Sequence, residues 1–268
     1  MFTLTMPRIA AATALVASLF FGAAMASSAP PRSAGAAILS WTPDQQDYGY
    51  RHMEQFSPVR VIARGKSVHK LPIAARSIDP SFSVDGKAWN TAAYMNAFRA
   101  SGVLVIKDGQ IVLERYGLGR APNERWTSFS VAKSVTSTLI GAAIRDGKIK
   151  SLDDPVTLYI PELKGSAYEG VTVRQLITMT SGVKWNEDYT DPNSDVAKVG
   201  FVDIEPGVDP VVSYMRHLPR EAPPGTKFVY KTGETDLAGI LLANAVHKHL
   251  ADYLSEKIWQ PYGMGRHG

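Results

Sequence analysis

Ser130-Val131-Ala132-Lys133 sets an alcohol and an amine three residues apart. On a helix, positions i and i+3 share a face, so the lysine nitrogen reaches the serine hydroxyl. A serine is a poor nucleophile until a neighbour takes its proton. A lysine takes it only where burial or a nearby cation brings its pKa toward the working pH. The start of a helix adds unpaired N–H groups and a positive dipole end, which stabilise developing negative charge. A second cluster, Pro224-Gly225-Thr226-Lys227-Phe228-Val229-Tyr230, ends in a tyrosine after a turn. A phenol aimed into a cleft near a lysine can relay a proton to a leaving group. Each piece has a plain alternative. An amphipathic helix with a surface lysine fits the tetrapeptide alone at least as well, and a lone tyrosine after a turn is more often a packing residue. Paired with the serine–lysine helix, the tyrosine is more often a proton relay than a packing residue.

The elements that must position these groups are partly visible. Val103 to Ile106 and Ile111 to Leu113 are β-rich runs around Asp108-Gly109, a dipeptide suited to a tight hairpin turn. A helix is expected from Ser130 to about Arg145, with Val131, Val135, Leu139, Ala142 and Ala143 near helical spacing and Gly147 as its C-terminal cap. A second helix should start at the N-cap Thr172 and run past Leu176 and Met179 to Ser181-Gly182. Residues 183–207 read as a long loop, and long loops are usually functional or disordered. Pro224-Gly225 marks a turn, Phe228 to Tyr230 a short extended segment, and two helices are expected over 233–247 and 249–258. Residues 41–96 show no clear period and read as an irregular wrapping segment.

Other chemistries find little support. The chain has no cysteine, which excludes disulfides, a thiol nucleophile and cysteine-ligated zinc. A Ser-His-Asp hydrolase would normally carry a G-x-S-x-G elbow, which is missing. His247 and His249 are two apart and point to different sides of a helix, so no metal site is expected. Net charge is +4 over 268 residues with the basic residues scattered, so nothing argues for nucleic acid. Arg8, the apolar run Ile9 to Gly22 and Ala24-Met25-Ala26 read as a secretory signal cleaved near Ala26, too short an apolar run for a membrane span. The expected organisation is a signal over 1–26, a flexible Ser/Ala/Pro-rich leader over 27–40, and a catalytic domain over 41–268. Export would place the mature chain in the periplasm or outside the cell, without a stable membrane anchor; its oligomeric state stays open.

SFSVAKS (128–134), TVRQLITMTSGV (172–183), PGTKFVY (224–230) and TGETDLAG (232–239) occur in this order. In that series the chain resembles the serine β-lactamase and penicillin-binding superfamily, most nearly its class C-like branch, which includes esterases and 6-aminohexanoate-dimer hydrolase. The resemblance covers about residues 41–265. It implies an α/β (α+β) fold in which an antiparallel sheet is flanked by helices, with a helical lobe inserted after the N-terminal hairpin. It also implies an acyl-enzyme formed on a small-molecule amide, ester or lactam, without a cofactor. Ser130 would be nucleophile, Lys133 general base and Tyr230 proton shuttle.

Trp185-Asn186-Glu187-Asp188-Tyr189 resembles the nylon-oligomer hydrolase branch, where the matching tyrosine helps bind the substrate amide. Tyr189 is therefore a candidate substrate contact; a solvent-facing loop aromatic fits it equally. Thr232, the other candidate substrate contact, takes the third place of a Y-x-N or Y-x-S block, keeping a hydroxyl and losing an amide. Family members continue with strands carrying a K-T-G or H-x-G element. Lys231-Thr232-Gly233 abuts Tyr230 and leads into helical sequence, so it reads as a coincidental K-T-G. The expectation is a C-terminally truncated enzyme, with a non-catalytic remnant, a D-alanyl peptidase or a β-lactamase proper as alternatives.

Overall fold

A computed structural model describes residues 38–266 and 268. The expected signal peptide and most of the leader lie outside the described residues; residues 38–40, at the leader's end, wind into a 3-10 turn. The segment read as irregular, 41–96, is more ordered than expected. Thr42 and Gln45 form a capping box that starts helix α1 (Pro43–Gly49). Strands β1 (Ser81–Val84) and β2 (Lys87–Asn90) pair antiparallel around Asp85 and Gly86, both at positive φ. Asn90 caps helix α2 (Thr91–Ala97) by accepting from the Ala93 N–H at 2.8 Å. These elements were hidden because caps and turns, rather than a run of apolar spacing, specify them.

The expected hairpin is present as β3 (Gly102–Lys107) and β4 (Gln110–Tyr116), antiparallel, with Asp108 and Gly109 at φ 51° and 74°. A register irregularity falls between Val105 and Ile106. The sheet structure among the described residues is thus two separate antiparallel hairpins.

Helix α3 (Val131–Arg145) starts directly after Ser130, and Gly147 beyond it holds φ 70°. Helix α4 (Val173–Ile177) starts at Thr172 through a capping box with Gln175 and is shorter than expected. Met179 turns to φ 55° and leaves the helix before Ser181. The stretch 183–207, read as a loop, contains the single turn α5 (Asp195–Lys198), and α6 (Pro210–Met215) follows. Phe228 to Tyr230 is extended without a strand partner. Helix α7 (Thr232–Val246) and α8 (Leu250–Leu254), the latter continuing as a π-turn to Trp259, match the two late helices.

The main core lies between these helices. Leu139, Ile140 and Ala143 of α3 meet Leu237, Ala238, Leu241 and Leu242 of α7, with Val173 and Leu176 of α4 and Met215 of α6 closing the sides. Burying a side chain of this size contributes about 1.5–3 kcal/mol. The close approach of α6 to α7 requires Gly233: a Cβ there would lie 2.6 Å from the Met215 sulfur.

Candidate active site

Ser130, the expected nucleophile, stands where a strained turn becomes a helix. Phe129 adopts φ 45°, a region that non-glycine residues seldom occupy. Its ring meets Tyr50 edge-on at 4.9 Å, and Tyr50 also meets Trp126 at 5.6 Å. This aromatic contact, with the Thr127 N–H donating to the Tyr50 carbonyl at 2.9 Å, fixes the chain ahead of Ser130. One helical turn on, Lys133 donates from Nζ to Ser130 Oγ at 3.1 Å.

Tyr230 arrives from the other side. Gly182 holds φ 76°, and a Cβ there would lie 2.0 Å from the Ala222 carbonyl oxygen. That clearance lets the Glu221 and Ala222 N–H groups donate to the Gly182 carbonyl at 2.8 and 3.0 Å. The strand-like segment then runs back along α4's exit, with Gly225 N–H donating to Thr180 and Val229 N–H to Met179 at 2.7 and 3.1 Å. Tyr230 ends this run with its hydroxyl donating to Ser130 Oγ at 2.7 Å, and Lys133 Nζ sits 5.1 Å from the phenol ring centre. The structure therefore brings the three residues together at one oxygen. A small cavity of about 170 Å³ adjoins Lys133, walled by Ile177, Met179, Thr235 and Ala238.

Tyr189 and Thr232 meet at a group the sequence reading assigned no role. Glu187 accepts from the Tyr189 hydroxyl at 2.5 Å, the Thr232 N–H at 2.9 Å, the Thr232 hydroxyl and the Trp185 indole. The Thr232 hydroxyl is thus committed to Glu187. Loss of hydration, reinforced by the Glu187 carboxylate, pushes the Tyr189 phenol up to about 12. Lys231-Thr232-Gly233 forms the entry to α7, with Lys231 wholly buried.

The family model described as beta-lactamase matches residues 90–267. The chain belongs to the beta-lactamase family. It is 34% identical over 161 residues to a 6-aminohexanoate-dimer hydrolase of Paenarthrobacter ureafaciens, covering 58% of this chain and 41% of that protein. A beta-lactamase of Pseudomonas fluorescens is 26% identical over 169 residues, covering 60% of this chain and 43% of the relative. The matched region therefore spans less than half the length of either relative. A solved Bacillus anthracis protein, provisionally named a 6-aminohexanoate-dimer hydrolase, shares the fold with a TM-score of 0.71 at 24% identity, over 82% of this chain and 60% of that one.

Behind the site, this beta-lactamase-family chain carries a buried polar cluster that the sequence reading missed. Ser181 donates to Glu234 Oε1, Tyr168 donates to the same oxygen at 3.4 Å, and Lys231 Nζ lies 3.5 Å from it. All four side chains are fully buried. Burial pushes the Glu234 carboxyl up to about 7, against the pull of Ser181 and Lys231. The cluster ties the Ser181-Gly182 loop to the segment that carries Tyr230. A buried glutamate two positions before an aspartate on a helix gives no periodic signal, so only its environment reveals it. Among the described residues, no group of three or more His, Cys, Asp or Glu side chains is arranged to hold a metal ion.

Proposed function

We propose that this chain is a serine hydrolase that forms an acyl-enzyme at Ser130 on small amide, ester or lactam substrates. The observation that carries this is the convergence of Lys133 Nζ and Tyr230 OH on Ser130 Oγ, at 3.1 and 2.7 Å. In the neutral form, Lys133 takes the Ser130 proton as Oγ attacks the substrate carbonyl, forming the C–O bond. Ser130 precedes the first residue of α3, whose positive dipole end lowers the cost of negative charge developing beside it. As the tetrahedral intermediate collapses, the C–N or C–O bond breaks and Tyr230 passes a proton to the leaving atom, recovering one from the lysinium. Water, deprotonated by the same pair, then releases the acid and restores Ser130. The relatives named for 6-aminohexanoate-dimer hydrolysis and as a beta-lactamase support small amides and lactams as the substrate class.

Hydrolysis of a p-nitrophenyl ester and of a short linear amide by the parent and three variants tests this reading. Ser130→Ala is expected to abolish turnover, and Lys133→Ala to reduce kcat by at least about 10³-fold. Tyr230→Phe, keeping the ring, should lower amide hydrolysis far more than hydrolysis of the activated ester, whose leaving group needs no proton. Full activity in Ser130→Ala would refute it. The signal-like segment around Arg8 and Ala24 to Ala26 supports export, with Ser27 as the expected first residue on N-terminal sequencing of the exported protein.

A further inference from the structure

The largest cavity among those described lies away from the Ser130 triangle. Its volume is about 760 Å³, within the range of small-molecule sites, and it is lined by Arg51, Arg64, Arg120, Arg125 and Arg266, with Glu124 as the one carboxylate. Guanidinium groups stay charged at any working pH. Glu124 is already engaged, accepting from the Ala121 N–H at 2.6 Å and from Arg51 at 3.4 Å, and these contacts hold its carboxyl below the usual range. Arg120 uses one nitrogen on the Glu124 carbonyl at 2.9 Å, while its buried Nε has no hydrogen-bond partner among the described residues. Arg125 and Arg266 are exposed at the cavity wall. Cations gathered around one concavity focus a positive potential and favour a multiply charged anion there.

The geometry points to a site for a soluble small molecule carrying a diphosphate group. The arginines come from separated parts of the chain and line one concavity; Arg51 also donates to the Asp47 and Gly119 carbonyls at 2.7 and 3.0 Å. A tetrahedral oxyanion presents acceptors in several directions, whereas a carboxylate presents them in one plane. Arginine's fork pairs with phosphate in a bidentate manner. The volume exceeds what a single orthophosphate fills. None of these residues belongs to the catalytic triangle, so the site is independent of the hydrolase reading.

Titration calorimetry of the full chain with inorganic pyrophosphate tests it, with orthophosphate and citrate as comparators. One pyrophosphate per chain is expected, at least about tenfold tighter than either comparator. Arg125→Ser and Arg266→Ser, both surface changes, should each weaken binding about tenfold or more, while Ser130→Ala binds as the parent does. Absence of pyrophosphate binding at millimolar concentration, equal affinity for citrate, or indifference to both arginine changes would overturn the assignment. Cosedimentation with phosphatidic acid vesicles, without binding of free pyrophosphate, would also overturn it, by moving the phosphate source to a lipid headgroup.

Discussion

Among the described residues, every buried residue of the main core lies between Leu139 and Leu254, whereas the segment from Trp41 to Phe129 buries only Met95, Val112 and Leu113 among its large hydrophobic side chains. Ile73, Phe98 and Leu104 of that earlier segment remain 79%, 65% and 53% exposed. The helical region is therefore ordered by burial. The earlier region is ordered by local devices: capping boxes, positive-φ turns, and ring stacking such as Phe82 on Trp89 and Trp89 on Phe98. Ser130 stands at the border of the two. Phe129 is held by Tyr50 from the first region, and everything that reaches the serine oxygen comes from the second. The difference teaches that the partners of Ser130 Oγ rest on the region with the buried core, with the first region supplying only the strained approach to Ser130.

The sharpest break of that comparison is Ile140→Ala. Ile140 is fully buried where α3 meets α7, so its truncation should cost about 2–5 kcal/mol in urea-unfolding free energy. A cost below about 1 kcal/mol would mean that the α3–α7 contact does not hold the fold.

Next comes the pH dependence of the buried cluster. Glu234 is held near 7, against an ordinary carboxyl near 4.5, so the folded chain keeps a proton that the unfolded chain has lost between those values. Stability should be full below about 4.5 and fall as pH rises through about 7, by an amount on the order of a few kcal/mol. Glu234→Gln should flatten that part of the slope, measured as unfolding free energy at pH 5 and pH 8. An unchanged slope would remove Glu234 from the account.

The smallest effect belongs to the first region. Leu104 is half exposed on β3, and Leu104→Ala should change unfolding free energy by less than about 0.5 kcal/mol. A loss comparable to that of Ile140→Ala would erase the distinction between the regions.

How much of this was legible in the sequence follows the same division. Helices α3 and α7 carry enough apolar residues to be read from composition and spacing, and Asp108-Gly109 announces its hairpin through the positive φ it must adopt. The pairing of Ser130 with Lys133 was readable because they are one helical turn apart, and the place of Tyr230 beside them followed from the resemblance of PGTKFVY to the tyrosine block of the serine β-lactamase superfamily. What brings Tyr230 to Ser130, 100 residues away, was not readable. That approach depends on Gly182 clearing the Ala222 carbonyl and on backbone bonds from Gly225 and Val229, long-range contacts that leave no periodic trace. Glu187 was hidden for a similar reason. Its four hydrogen bonds come from Trp185, Tyr189 and Thr232, and only folding gathers them. The early hairpin Ser81–Asn90 escaped because exposed strands carry no alternation of buried and open positions.

The central claim is that the Ser130 oxygen is made reactive by the amine one turn along its helix. Intact-mass measurement after treatment with a fluorophosphonate tests it most directly, followed by peptide mapping of the adduct. The account predicts one adduct per chain, located on Ser130, formed at least about a hundredfold more slowly in Lys133→Ala. An adduct at another residue, or labelling of Lys133→Ala at the parent rate, would contradict it.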